Sequence, residues 1–201
     1  MFTGIVAGTA QVERLADRPG LRTFTLRFGG PGFGAGLAVG ASVAVDGVCL
    51  TVTALHRAAA GSTDADADAD AGAGETFAAD FDVMQQSLAL TTLGTLAEGS
   101  EVNVERAAKD GAEIGGHPLS GHVDCLGTIA AVRRPENNHV LRIALPPRFM
   151  RYVFAKGYIA VNGCSLTAAE VNRAEGWFEV WLIPETLRQT TFAAKREGDA
   201  V

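Results

Sequence analysis

The chain repeats itself. Asp46-Gly47-Val48-Cys49-Leu50-Thr51 recurs as Asn162-Gly163-Cys164-Ser165-Leu166-Thr167, and Val43-Ala44-Val45 before the first copy matches Ile159-Ala160-Val161 before the second, at an offset of 116 residues. Thr3-Gly4-Ile5-Val6 matches Ser120-Gly121-His122-Val123 at an offset of 117. Further on, Ser87 to Leu93 matches Thr186 to Phe192, and Glu98-Gly99 matches Glu197-Gly198, but the offset has dropped to 99. A duplication on this scale requires two units of one shape, so any fold assigned to the chain must work twice.

The drop has a visible cause. Residues 58–74 are a tract of Ala, Asp, Gly, Ser and Thr with no apolar periodicity, as long as the change in offset. An Asp-Ala alternation cannot bury a face and repels itself, so an acidic loop inserted at a hairpin tip of the first unit is expected. Asp64, Asp66, Asp68 and Glu75 fall at calcium-loop positions, but Ala69 stands where the sharp turn needs glycine. No metal site is expected there, nor from the four scattered histidines.

Each unit reads as short strands. Alternation and β-branched residues mark Thr23 to Phe28, Ser42 to Val45, Leu50 to Leu55, Phe77 to Asp82 and Val102 to Glu105 in the first. In the second they mark Val123 to Val132, Leu141 to Leu145, Tyr158 to Val161, Leu166 to Val171 and Phe178 to Ile183. Asp46-Gly47 and Asn162-Gly163 are hairpin turns, because both residues of each pair tolerate positive φ. Short helices are expected at Phe33 to Leu37, at Arg148 to Phe154, and from Gln85 and Glu185 onward. Closure removes exposed sheet edges, so the expectation is an all-β protein of two small closed units, residues 1–99 and 100–201.

Charge and cysteine content narrow the function. A net charge of −6 disfavours nucleic acid or an anionic membrane as partner. No apolar stretch approaches the ~18–20 residues of a membrane span, and no basic start of a secretory signal is present, so a cytoplasmic protein is expected. Three cysteines with no C-x-x-C pair make reduced thiols the default.

Among groups that could carry chemistry, Cys49 reads either as a small apolar strand residue or as a nucleophile that needs a base or cation nearby. His117, after the paired Gly115-Gly116, is the candidate partner, although a loop histidine also suits a solvated surface. Lys156 is either an anion-binding group or a snorkelling surface lysine. Ser165 and Thr167 take the places of Cys49 and Thr51 in the second copy, so the units are alike in shape and unlike in reactivity. One thiol in a duplicated frame suits two similar ligands, one attacked and the other held.

With these residues assembled, the chain resembles the riboflavin synthase family, alpha type. The resemblance rests on Met1-Phe2-Thr3-Gly4-Ile5-Val6, on Ser42 to Thr53, on Val102-Asn103-Val104-Glu105-Arg106-Ala107, on Gly115-Gly116-His117 with Ser120 to Asp124, on Lys156-Gly157, and on Ile183-Pro184-Glu185-Thr186-Leu187. It implies two tandem pseudo-symmetric six-stranded Greek-key β-barrels. It also implies a reaction in which two molecules of 6,7-dimethyl-8-ribityllumazine exchange a four-carbon unit to give riboflavin and 5-amino-6-ribitylamino-pyrimidinedione, with no cofactor or metal. A non-catalytic relative that binds lumazine or flavin as a chromophore is the alternative. The family pattern is a homo-oligomer, usually a trimer, in which the first barrel of one subunit faces the second barrel of a neighbour. Residues beyond Glu197-Gly198 stop short of a last strand and terminal helix, so weakened assembly is expected.

By the same resemblance, Cys49, His117 and Ser42 are the catalytic candidates. Phe2, Thr3, Gly4, Ile5 and Val6, Leu50 and Thr51, and Asp82, Val83, Met84, Gln85, Gln86 and Ser87 would contact the first lumazine, with Gly116 and Pro118 beside His117. Lys156, Asn162, Ser165, Leu166 and Thr167, with Ile183, Pro184, Glu185, Thr186, Leu187 and Arg188, would contact the second.

Overall fold

A computed structural model describes residues 1–29, 32–58, 76–109, 111 and 115–201. Its first unit is a closed antiparallel barrel of β1 (Gly8–Arg18), β2 (Leu21–Phe28), β3 (Ser42–Val45), β4 (Val48–Ala58), β5 (Thr76–Met84) and β6 (Glu101–Arg106), in the order β1-β2-β5-β4-β3-β6. The second unit is a five-stranded sheet of β7 (Thr128–Arg133), β8 (His139–Ala144), β9 (Tyr158–Val161), β10 (Cys164–Asn172) and β11 (Trp177–Leu182), in the order β7-β8-β11-β10-β9. Strand for strand, the second order repeats the first five places of the first.

The duplication extends to irregularities. A bulge between Val12 and Arg14 in β1 has its counterpart between Ile129 and Ala131 in β7, and one between Val52 and Ala54 in β4 has its counterpart between Ala168 and Glu170 in β10. Each unit then runs from its fifth strand into one short helix, α1 (Gln85–Leu90) or α2 (Pro184–Gln189). A 3-10 turn follows each, capped by the hydroxyl of Thr91 or Thr190, which accepts from the backbone N–H two residues on. That local bond competes with continued α-helix and explains why both helices stop where they do.

Two expectations need correction, the end of the first unit and the helix at Phe33 to Leu37. β6 pairs with both β1 and β3, so the first unit continues past residue 99 to Arg106, because that strand closes the barrel. The second unit has five strands; the place that β6 holds in the first unit is taken beside β7 by Asp199 to Val201, through Ile129 N–H to Asp199 O at 2.9 Å and Gly127 N–H to Val201 O at 2.8 Å. Phe33 to Leu37 forms successive turns, with Phe33 stacked on Phe28 at 4.5 Å, while residues Pro147–Tyr152 do form a 3-10 helix. The inserted loop expected at 58–74 lies outside the described residues; β4 and β5 pair right up to it, at Ala58↔Thr76.

Two cores result. Phe24, Leu26, Val43, Phe81 and Leu93 pack inside the barrel, and Ile129, Leu141, Ile143, Phe178 and Phe192 inside the second sheet. The units exchange arms. Val6, from the N-terminal arm of the first copy, is buried in the second core, and its repeat mate Val123 packs on the first. Burying an apolar side chain contributes roughly 1.5–3 kcal/mol, so the exchange ties the halves through their cores as well as their surfaces. Among the described residues, no helix is long and apolar enough to cross a membrane.

Candidate functional site

The two hairpin tips meet. Asp46 and Asn162 have φ of 45° and 43°, and Gly47 and Gly163 follow at 84° and 79°, two left-handed residues in succession as a type I′ turn requires. A Cβ on Gly47 would lie 2.7 Å from the Gly163 nitrogen, and one on Gly163 would lie 2.9 Å from the Gly47 nitrogen, so only glycine fits either tip. Beyond each tip the returning strand presents its first residues at the rim: Cys49 in β4 and Ser165 in β10, both half-buried.

Each rim residue is fixed by the other unit's exchanged arm. Cys49 N–H donates to Gly121 O at 2.9 Å, and Ser165 N–H donates to Gly4 O at 2.9 Å. The contacts are too close for a side chain: a Cβ on Gly121 would sit 2.6 Å from Cys49 Cβ, and one on Gly4 would sit 2.4 Å from Ser165 Cβ. Strand register brings in the helices. Val52↔Phe81 carries Leu50 and Thr51 toward Asp82 and Val83, just ahead of α1, and Ala168↔Val180 carries Leu166 and Ser165 toward Leu182 and Ile183, just ahead of α2. Met84 and Ile183, the residues before the two helices, are each 63% exposed and leave an apolar lip at corresponding points.

The remaining predicted residues divide by place. Phe2 is buried and exchanges both backbone bonds with Leu119, so it anchors the arm. Thr3 and Gly4 follow it, and Ile5 projects outward. Ser42 begins β3 opposite Thr51. Asp82 accepts from the Thr23 hydroxyl at 2.6 Å, while Gln85 and Gln86 are exposed and Ser87 O accepts from the Thr91 hydroxyl. Lys156 is exposed, and its N–H donates to Ala168 O. Thr167 faces outward and Leu166 is buried. Pro184, Thr186 and Leu187 lie within α2, where Glu185 pairs with Arg188 at 2.6 Å; that guanidinium holds the Glu185 carboxyl below its ordinary range.

His117 bonds to the second rim. Its Nδ1 lies 2.8 Å from Ser165 Oγ, its ring stacks on Tyr158 at 4.0 Å, and its N–H donates to Thr3 O at 2.8 Å, with Gly116 before it at φ 70° and Pro118 after it. The histidine therefore equips the serine rim of the second unit. Among the described residues, no hydrogen bond joins it to Cys49. Of the other thiols, burial pushes Cys164 up to about 11, with the Glu105 charge adding to the shift, and burial followed by the Asp124 charge raises Cys125. Neither supplies thiolate near neutral pH.

Sequence reasoning missed three residues at this junction. Tyr158 stacks on His117, Asn103 bridges the two tips, and Glu105 holds the N-terminal arm. Asn103 and Glu105 are buried polar groups two apart on one strand, hence on one face, and that spacing in Val102 to Arg106 was the available signal. A cavity of about 660 Å³ opens beside the tips: Asp46, Gly47, Gly121 to Gly127, Tyr158 to Gly163 and Val201 are among the residues that line it, along the side of the second sheet between β7 and β9. In the first unit β6 fills that side. We therefore read the cavity as a barrel seam; Cys49 and Ser165 do not line it.

A closed β unit and its copy, arms exchanged and rims equipped with unlike groups, define a duplicated small-ligand-binding protein. The lumazine binding domain matches twice, over residues 3–107 and 120–201. The chain is 39% identical to riboflavin synthase of Escherichia coli strain K12 over 202 aligned residues, covering all of this chain and 84% of that one. It is 40% identical to riboflavin synthase of Mycobacterium tuberculosis strain H37Rv, covering all of this chain and 90% of that one. The crystal structure of LumP complexed with riboflavin has the same fold, with a TM-score of 0.81 at 19% identity over all of this chain and 97% of that one. The chain belongs to the riboflavin synthase family.

Proposed function

We infer that this protein is a riboflavin synthase: it takes two molecules of 6,7-dimethyl-8-ribityllumazine, moves a four-carbon unit from one to the other, and releases riboflavin and 5-amino-6-ribitylamino-pyrimidinedione. The observation that carries the reading is the likeness to riboflavin synthases over the whole chain, together with twin rims that differ in the one reactive group, Cys49 against Ser165. The reaction is a dismutation of one compound, so it balances without oxidant or reductant and needs no cofactor or metal. The enzyme is accordingly a transferase, and its setting is the cytoplasm.

The acceptor lumazine needs a nucleophile on its electron-poor ring, and the donor needs its acidic 7-methyl group deprotonated so that the two rings can join. Cys49, beside Ser42 and Thr51 at the first rim, is the group for the ring. The partial exposure of Cys49 and the backbone bond that fixes its place on the rim, to Gly121, support that role. His117, hydrogen-bonded to Ser165, is the group for proton transfer at the second rim. Met84 to Ser87 and Ile183 to Arg188 would line the two ligand sites, and Lys156 would serve the second. Holding the rings face to face supplies the proximity contribution, up to ~7–11 kcal/mol in favourable cases.

Both rims of one chain must find a complement, so we place the working site between the first unit of one copy and the second unit of another, in a homo-oligomer and most simply a trimer. Incubation with the lumazine tests the function: riboflavin fluorescence is expected to rise. Ligand bound without product would select a chromophore carrier instead.

A further inference from the structure

We propose that Glu105, a buried residue of β6 in the first unit, is the positioning residue that sets the His117–Ser165 pair of the second unit through the N-terminal arm. The proposal deepens the functional reading above and rests on it only for its effect on turnover.

Glu105 is buried, and among the described residues no ion pair meets its carboxylate. A buried carboxylate is costly unless donors surround it. Here the donors come from the arm alone: Thr3 N–H at 2.6 Å and Thr3 Oγ1–H at 2.8 Å both donate to Oε1, and Gly4 N–H donates to Oε2 at 3.0 Å. Charge-assisted bonds of this kind are short and directional. They grip one side of two successive peptide units.

The opposite sides of those residues face the second unit. Thr3 O accepts from His117 N–H at 2.8 Å, and Gly4 O accepts from Ser165 N–H at 2.9 Å. The two residues so held then bond to each other, His117 Nδ1 to Ser165 Oγ at 2.8 Å. No slack exists along this path. A Cβ on Gly4 would lie 2.4 Å from Ser165 Cβ, one on Gly116 would lie 2.2 Å from Thr3 O, and Phe2 and Val6 pin the arm by burial on either side. A shift of the arm away from Glu105 therefore moves the backbone of both His117 and Ser165. The Cys49 rim is held by a different bond, to Gly121, and stands outside this path.

The test is amide hydrogen exchange by NMR on the ligand-free full chain, wild type against Glu105→Gln, which keeps size but turns an amide toward the arm's donors. Exchange is expected to quicken together at Thr3, Gly4, His117 and Ser165, by about ten- to a hundred-fold for loss of bonds to a charged group. Cys49 N–H is expected to stay within about two-fold of wild type. Glu105→Asp, which sets the carboxylate back but keeps its charge, is expected to give a smaller effect on the same four amides, and it serves if Glu105→Gln does not fold. Unchanged protection at His117 and Ser165 in a folded variant, or equal loss at Cys49, would overturn the proposal. In turnover, Glu105→Gln is expected to lower kcat more than it raises KM. A wild type that makes no riboflavin would count against the functional reading alone, because the exchange pattern is read without substrate.

Discussion

Asn103 donates from its side-chain Nδ2 to the backbone carbonyl of Asn162 at 2.9 Å, across the boundary between the two halves. Its Oδ1 accepts from Thr191 N–H at 2.8 Å, again in the other half, while its own N–H donates to Asp46 Oδ1 at 2.8 Å. One buried residue thus ties both hairpin tips and the turn after α2, with its side chain holding the second tip and the turn and its backbone the first tip. Asn103→Ala leaves buried partners unsatisfied, and it is expected to destabilise the protein by about 2–4 kcal/mol. Urea unfolding followed by tryptophan fluorescence reads it, since Trp177 and Trp181 both report on the second half. A change below about 0.5 kcal/mol would remove Asn103 from the junction.

The touching tips give a second test. Gly47→Ala and Gly163→Ala each place a methyl against the other tip's backbone at positive φ, and each is expected to cost about 1–3 kcal/mol. Gly99→Ala has a similar φ of 88° with nothing near its Cβ, so it isolates the conformational cost. In thermal melts the two tip variants are expected to lose more than this control.

Asp46 links stability to pH. Burial raises its carboxyl to about 6 from an ordinary 3.8, against the opposing hydrogen bond from Asn103. The folded state therefore holds a proton that the unfolded state gives up. This contribution is fully present below about pH 4 and is lost as pH rises through about 6, by roughly 2–3 kcal/mol. Asp46→Asn, the residue its repeat mate Asn162 already carries, is expected to flatten that slope and to raise stability at pH 7. Denaturant midpoints at pH 4 and pH 7 measure it; an unchanged slope would contradict the account.

At the first rim, Cys49→Ser is expected to lower turnover by about a hundred-fold or more while lumazine binding persists. The check is riboflavin formation alongside fluorescence titration of the ligand. Wild-type rates in the variant would exclude the sulfur from the chemistry.

Much of the fold was legible because duplication shows twice whatever it shows once. Asp46-Gly47 and Asn162-Gly163 announced both tips. β1 was hidden for a physical reason: its bulge between Val12 and Arg14 breaks the two-residue alternation by which a strand is recognised. Its counterpart β7 escaped that fate only because Ile129, Ala130, Ala131 and Val132 are all apolar. At the site, Cys49 and Ser165 were legible as repeat mates, yet the exchange of arms that hands His117 to Ser165 is a tertiary fact with no periodic trace. Glu105 lay within a recognised motif without a role, since nothing local shows that a strand carboxylate will face Thr3 and Gly4.

The most direct test of the account is a count of molecules. On incubation with 6,7-dimethyl-8-ribityllumazine alone, chromatography of the products is expected to find two lumazines consumed for each riboflavin formed, with the pyrimidinedione appearing in equal amount to riboflavin. Lumazine recovered intact from a folded, ligand-saturated protein would contradict it.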